Sequence, residues 1–106
     1  MAARSQRRKR FALEMGATDF IEIGVHGGAE GDSDVEEATE RSIHASLGGP
    51  PDVVFECAGF AGAMMQSMTW VRPKGTLVAM GYGLHPEEAT TAIPLWKELR
   101  VQFSMT

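Results

Sequence analysis

The chain has 106 residues, of which 43% are hydrophobic and 23% charged, the size and composition of one small domain covering residues 1–106. Its 10 basic and 14 acidic residues leave a formal net charge of −4, and no apolar run approaches the roughly 20 residues that cross a bilayer, which excludes a membrane-spanning protein. The single cysteine, Cys57, excludes an internal disulfide framework and a four-cysteine zinc site, and favours a reducing, cytoplasmic compartment.

Positive charge is concentrated at the start of the chain, where the first ten residues hold half of the basic residues and no acid. A basic, acid-free start is typical of mitochondrial presequences and of nucleic-acid-binding arms. Here four residues have the spacing of one helix face, in a helix that would end at Gly16: Arg4, Arg8, Phe11 and Met15. This spacing favours an amphipathic helix over both alternatives. We therefore expect neither a nucleic-acid partner nor a membrane partner.

The next elements are a strand, a loop and a second helix. Residues 19–23 (DFIEI) alternate in polarity and predict a short strand, and the acidic, glycine-rich residues 24–34 predict a loop. Asp34 is the predicted N-cap of the helix, which ends at Gly48 and Gly49. Its apolar face is formed by residues spaced four apart: Val35, Thr39, Ile43 and Leu47.

The centre of the chain predicts a βαβ unit. Two short β-rich runs, 52–56 and 76–80, flank a helical segment at 61–71. Both runs are followed by small residues, which is typical of buried parallel strands that open onto a ligand crevice. The helix has one apolar stripe, whose methionines we interpret as core residues: Met64, Met68 and Val71. A unit of this kind has a right-handed crossover and indicates a nucleotide-type crevice.

The chain closes with a loop containing Pro86, a short predicted helix at 95–99 and a predicted strand at 101–103. The order of elements predicts an α/β fold, a partial Rossmann-like and mostly parallel sheet flanked by helices. It lacks the opening strand and its G-x-G-x-x-G turn, whose glycines let the backbone approach a pyrophosphate. Gly59 and Gly62 do not have that spacing and predict a tight turn instead.

Four segments together resemble one family, the zinc-type medium-chain alcohol and polyol dehydrogenases, close to sorbitol and threonine dehydrogenases. They are RRKRFALEMGATDFI at 7–21, ECAG at 56–59, RPKGTLVAMGYG at 72–83 and PLWKEL at 94–99. The glutamate at position 56 resembles the zinc-type branch of the family, since the zinc-free quinone reductases more often have Asp at this position. The resemblance implies hydride transfer between a nicotinamide cofactor and an alcohol or polyol. The resemblance covers nearly the whole chain and implies that the chain is the C-terminal part of the family's cofactor domain.

The same resemblance implies that parts of the enzyme lie outside this chain. The first strand, its helix and most of the second strand would precede Met1, and in the usual order 3-2-1-4-5-6 they separate the strands at 19–23 and 52–56. Each of these strands would then expose an unpaired edge, which favours homo-oligomers. The catalytic zinc of the family is held by a separate domain. We therefore expect a fragment that is inactive by itself.

Residues that contact the cofactor in the family are carried over by this resemblance. On the adenosine side they are Ala3, Arg4, Ser5 and Arg8; at the other strand ends they are Cys57, Ala58, Met80, Gly81, Tyr82, Ser104, Met105 and Thr106. The competing interpretations are core packing for Met80, a solvated helix face for Arg8 and a loop aromatic for Tyr82. Cys57 is expected to be an inert, buried thiol lining the crevice. No zinc ligands are expected among the scattered His26, His44 and His85.

The cofactor is expected to be NAD(P), with NADP favoured. NAD-dependent Rossmann domains have an acid at the end of the second strand, where this chain has Ala3. Arg4 and Ser5, which follow, suit a phosphate dianion.

Two functions other than that of a dehydrogenase fragment remain open: a non-catalytic nucleotide-binding remnant and a methyltransferase-like α/β domain. The second predicts an early glycine-rich strand turn, which is absent from the sequence.

Overall fold

The computed structural model describes residues 1–23, 33–84, 86 and 88–105. Its contacts divide the chain into two compact units, Met1–Gly49 and Pro50–Thr106. In the part of the chain that the structure describes, no helix combines the length and the apolar character needed to cross a bilayer.

The first unit contains two short parallel strands and their helices. Its elements are β1 (Ala2–Ala3), a 3₁₀ helix (Gln6–Arg8), α1 (Lys9–Glu14), β2 (Ile21–Glu22) and α2 (Ser33–Leu47). Ala2 pairs with Ile21, and Ala3 pairs with Glu22. The N–H of Ile23 also donates to the carbonyl of Ala3 at 2.9 Å. The strand predicted at 19–23 is therefore present but shorter, and β1 is its parallel neighbour.

The first helix differs from its prediction at its start and on its apolar face. Ser5 is extended and its Oγ accepts the N–H of Arg7 at 3.3 Å, so the helical turns begin at Gln6 and Arg4 lies outside them. Phe11 is 62% exposed, whereas Ala12 is buried. The buried face thus lies one position away from the predicted stripe, whose Met15 is also exposed. Gly16 ends the segment at φ +100°, as predicted.

The second helix, α2, begins earlier than predicted. Asp34 lies inside its first turn, where an acid opposes the positive end of the helix dipole, and is not the N-cap. Thr39 and Ile43 are buried as the pattern predicts, but Leu47 is exposed. Gly48 follows the helix at φ +79°. Residues 24–32, most of the predicted loop, lie outside the described residues.

Asp19 connects the start of β2 to the end of α2. The Ser46 hydroxyl, and then the N–H of Phe20, hold the pKa of this carboxyl below its usual value. Phe20 donates at 2.8 Å. Because the pKa is lowered on folding, the contact stabilises the unit above the ordinary pKa of aspartate and is lost as pH falls through the lowered value.

The second unit confirms the predicted βαβ unit and its continuation. Its elements are β3 (Val53–Glu56), α3 (Ala63–Trp70), β4 (Thr76–Ala79), α4 (Ala92–Trp96) and β5 (Arg100–Phe103). The three strands form one parallel sheet in the order β3-β4-β5, and α3 packs against β3 and β4. Val71 and Leu77 are fully buried in its core. The fold is α/β and Rossmann-like, with parallel strands flanked by helices.

The last helix, α4, lies three residues before its predicted start. Pro94 is its third residue, in the first turn, where a missing N–H costs no intrahelical hydrogen bond. The helix was predicted at 95–99, so the structure extends it toward the N-terminus across Pro94 and ends it at Trp96. Strand β5 begins at Arg100, one residue earlier than predicted.

Lys97 links α4 to the end of α3. Its ammonium Nζ donates to three backbone carbonyls, those of Met68 at 3.1 Å, Thr69 at 2.6 Å and Val71 at 2.8 Å. The last carbonyls of a helix have no intrahelical partner, and a cation there also opposes the negative end of the dipole. Lys97 therefore acts as a side-chain cap for α3, from a position almost 30 residues away in sequence.

The two sheets do not share a strand pair. Among the described strands β2 pairs with β1, and β3 pairs with β4. A direct pairing of the strands at 19–23 and 52–56 with each other is therefore not observed among the described strands.

Candidate functional site

The carboxyl ends of β3, β4 and β5 lie at one edge of the second unit's sheet. Their last residues are in register, since Glu56 pairs with Ala79 and Ala79 pairs with Phe103. In parallel α/β sheets ligands bind outside this edge. The predicted residues of the second unit that are described follow these strand ends together: Cys57, Ala58, Met80, Gly81, Tyr82, Ser104 and Met105. Thr106 lies outside the described residues.

A cavity of about 230 Å³ opens at this edge. It is lined by Glu56, Gly59, Phe60, Ala61, Met64, Ala79, Gly81, Gly83 and Phe103. Among the described residues that were predicted to contact a cofactor, only Gly81 lines it. Met64 was predicted to be a core residue but contributes to the wall and is only half-buried, because the first turn of α3 lies beside the strand ends.

The loops that follow β3 and β4 touch through their backbones. Gly59 has φ +66°, and a Cβ there would lie 2.8 Å from the carbonyl carbon and oxygen of Tyr82. A Cβ on Gly81 would meet the Glu56 carboxylate and the nitrogen of Gly59. Both glycines are therefore required by the close approach of the loops. The tight turn predicted between Gly59 and Gly62 lies at Ala61 and Gly62, where the N–H of Ala63 donates to the carbonyl of Phe60 at 3.0 Å. Gly59 instead faces the loop after β4.

Glu56 is a charged residue that lines the cavity and was not among the predicted site residues. Its side chain is buried, and Oε1 accepts the N–H of Ala58 at 2.6 Å and of Gly59 at 2.9 Å. Its backbone carbonyl accepts the N–H of Met80 and of Gly81, both at 2.8 Å. An acid at the end of an apolar strand was the available signal, because a buried carboxylate needs hydrogen-bond partners.

The prediction that Cys57 is buried is wrong. Its thiol is exposed, and Sγ lies 3.8 Å from the carbonyl oxygen of Phe55. Alternate residues of a strand share a face, and Val53 and Phe55 are exposed on the face to which Cys57 belongs, whereas Glu56 is on the buried side. Ala58, Met80, Tyr82, Ser104 and Met105 are exposed as well.

The predicted adenosine-side residues lie in the first unit. Ala3 is buried as the last residue of β1, and Arg4, Ser5 and Arg8 are exposed at or after the strand end. The Ser5 oxygen caps the 3₁₀ helix. Beside this segment Gln6 Nε2 donates to Glu22 Oε2 at 2.6 Å. The segment after the strand end therefore has three exposed arginines, Arg4, Arg7 and Arg8, and no acid.

The described residues do not form a metal site. Within residues 1–23, 33–84, 86 and 88–105, no three His, Cys, Asp or Glu side chains come together as ligands. His44 lies half-buried on α2, with Nε2 3.7 Å from Glu40 Oε1. His26 and His85 lie outside the described residues.

Comparison with known proteins identifies the family. The family described as zinc-binding dehydrogenase matches residues 1–106. The chain belongs to the zinc-binding dehydrogenase family. Its strands therefore correspond to the C-terminal part of the cofactor-binding domain of these enzymes, and this membership decides against a methyltransferase-like domain.

The proteins that this chain is similar to are longer polypeptides. The chain is 33% identical over 95 residues to a putative D-xylulose reductase of Rhizobium meliloti (strain 1021), with 89% of this chain and 28% of the reductase aligned. It is 22% identical to a short chain alcohol dehydrogenase of E. coli CFT073 complexed with NADH, with 97% of this chain and 27% of that one covered, at a TM-score of 0.71. A crotonyl-CoA carboxylase/reductase in complex with NADP has 22% identity, coverage of 99% and 29%, and a TM-score of 0.75. These structures show the shared fold, and the chain spans less than a third of each relative.

Proposed function

We propose that this zinc-binding dehydrogenase chain forms part of the cofactor domain of an NAD(P)-dependent alcohol or polyol dehydrogenase. The observation that carries the proposal is that three parallel strand ends lie together at a cavity whose lining includes Gly59, Gly81 and Gly83. A crevice of this kind suits a nicotinamide cofactor, because backbone can approach it closely. The solved structures with NADH and with NADP share this fold.

The cofactor supplies hydride chemistry when bound, and the chain's own residues bind and orient it. In the second unit the proposed contacts are Cys57, Ala58, Met80, Gly81, Tyr82, Ser104, Met105 and Thr106. In the first unit they are Ala3, Arg4, Ser5 and Arg8. The described residues do not fit a zinc site, so no step through zinc is assigned to them. A cytoplasmic location accords with the free thiol of Cys57.

Titration of the isotope-labelled chain with NADPH tests this proposal. We expect amide signals at the carboxyl ends of β3, β4 and β5 to shift at millimolar cofactor, while those of Asp52 and Gly75 at the amino ends stay in place. Binding is expected to be weak and turnover of alcohols absent, because the sequence has no pyrophosphate-binding turn and the described residues have no zinc site.

Two results would contradict these expectations separately. Amide signals that stay fixed at every cofactor concentration would refute the proposed crevice. Micromolar binding, or alcohol oxidation by the purified chain supplied with zinc, would refute the expectation that the chain is inactive by itself.

We expect the cofactor to be NADP, and the first unit offers a direct test. Adenosine 2′,5′-bisphosphate should bind more tightly than AMP, because Arg4 and Ser5 follow a strand end without an acid. Arg4→Ala should weaken binding of the bisphosphate by about tenfold or more, as expected for loss of a charge-assisted hydrogen bond of roughly 1.5 to 3 kcal/mol. Arg10→Ala is the matched control, since Arg10 pairs with Glu14 at 2.8 Å. Equal affinities for the two nucleotides would count against NADP.

We also propose that copies of the chain associate through the unpaired sheet edges of β2 and β3. Phe55 on β3 is 63% exposed, and exposed edges with apolar side chains promote pairing between chains. Sedimentation should show association that rises with concentration and is reduced by Phe55→Lys. Phe11→Lys, at a similarly exposed phenylalanine of α1, should leave it unchanged. A monomer with a cooperative, concentration-independent unfolding transition would disprove this association.

A further inference from the structure

Glu56, the last residue of β3, places a carboxylate on the buried face of the sheet. The side chain is 7% exposed, which is unfavourable for an acid unless its oxygens are hydrogen-bonded. Oε1 accepts two successive backbone N–H groups, those of Ala58 and Gly59. Successive N–H groups that converge on one oxygen form an anion-binding concavity. Here the anion is supplied by the chain itself.

The same residue contacts the neighbouring loop. A Cβ on Gly81 would collide with Oε2, so this oxygen lies against the backbone after β4. The carbonyl of Glu56 accepts the N–H groups of Met80 and Gly81. One residue thus contacts both loops of the crevice, and it lines the cavity between them.

We propose that Glu56 is a positioning residue that fixes the separation of the loops after β3 and β4 for cofactor binding. This inference rests on the proposed function and adds a residue to it. The carboxylate holds the first loop by its two N–H groups and limits how closely Gly81 approaches. Glu56 acts on the cofactor through these loops.

The geometry also explains why a glutamate occupies this position. Its charge makes both hydrogen bonds charge-assisted, and these are roughly twice as strong as neutral ones. Glutamine would keep an acceptor oxygen but lose the charge. Alanine would leave the two N–H groups without their acceptor and open space beside the cavity.

Glu56→Ala and Glu56→Gln in the 106-residue chain test the inference by local hydrogen exchange. We expect Glu56→Ala to accelerate exchange at Ala58 and Gly59 by about tenfold more than at Leu77 in the sheet core, because the change is confined to the loops. Glu56→Gln should give a smaller acceleration at the same amides. Glu98→Ala and Glu98→Gln, at an exposed acid of the same unit, should change neither amide.

Formate distinguishes lost hydrogen bonds from lost packing. A small carboxylate can enter the space left by Glu56→Ala and accept both N–H groups, so formate should restore slow exchange and the original amide shifts in this variant. It should not do so in Glu56→Gln, where the space is filled. Uniform acceleration of all amides, or no restoration by formate, would overturn the proposal. If Glu56→Ala does not fold, the test rests on Glu56→Gln. Faster exchange at Ala58 and Gly59 than at Leu77 in that variant would support the proposal, and unchanged exchange at these two amides would overturn it.

Cofactor titration then separates this inference from the proposed function. NADPH should bind Glu56→Ala about tenfold more weakly than the original chain, and formate should restore the affinity. Equal affinity in the variant would refute the role of Glu56 while leaving the proposed function intact. If the original chain does not respond to NADPH, the proposed function fails, and the exchange and formate results still decide whether Glu56 sets the loop separation.

Discussion

Gly59→Ala is expected to destabilise the second unit by about 3 kcal/mol. A left-handed backbone conformation costs a residue with a side chain about 1 to 2 kcal/mol, and forcing a methyl group into packed atoms costs about 1 to 3 kcal/mol more. Both apply at Gly59, with φ +66° and the Tyr82 carbonyl 2.8 Å from the new Cβ. Urea unfolding followed by the fluorescence of the buried Trp70 measures the change.

Gly62→Ala is the matched control for this prediction. Gly62 has φ +85° in the same segment, but a Cβ there would meet no atom within 4 Å. Its substitution should therefore cost about 1 to 2 kcal/mol, from backbone conformation alone. Equal losses for the two variants would show that the loops after β3 and β4 are not in the close contact described above.

Lys97→Met is expected to lower the free energy of unfolding by about 2 to 3 kcal/mol. The substitution keeps an unbranched side chain as long as the aliphatic stem of lysine but removes the donor for the carbonyls of Met68, Thr69 and Val71. Hydrogen bonds to a charged group contribute about 1.5 to 3 kcal/mol, and water replaces part of this because Lys97 is only half-buried.

Lys74→Met removes the same charge from an exposed position and is the control. Lys74 Nζ lies 3.4 Å from Glu98 Oε2, and both side chains are largely exposed. Surface pairs of this kind contribute about 0 to 1 kcal/mol, so this variant should unfold nearly as the original chain does. A small effect of Lys97→Met, similar to that of Lys74→Met, would rule out a capping role for Lys97.

The parts of the fold that follow from local sequence were predictable. The strand at 53–56 and the end of α2 at Gly48 depend on β-rich runs and on glycine, both of which act within a few residues. The buried face of α1 was not predictable in the same way. Phe11 is the more apolar residue, yet Ala12 is buried, because neighbouring elements decide which side of a helix is covered.

The candidate site was predictable in its location but not in its contacts. Parallel strands bring their carboxyl ends to one edge, so the segments after β3, β4 and β5 could be grouped in advance. The role of Glu56 depends on Gly81, which is remote in sequence, and no pattern within either segment shows that they touch. The exposure of Cys57 likewise depends on which face of β3 is covered.

The contact between Glu56 and Gly81 links the evolution of the two positions. A side chain at position 81 would collide with the Glu56 carboxylate and with the backbone of Gly59, so it needs both a smaller residue at 56 and a shift of the loop at Gly59. The order of substitutions then matters, because a change at 81 costs more while the glutamate is present than after position 56 has become smaller. Among homologues, an acid at 56 should therefore occur together with glycine at 81, and a larger residue at 81 should occur only with a smaller residue at 56.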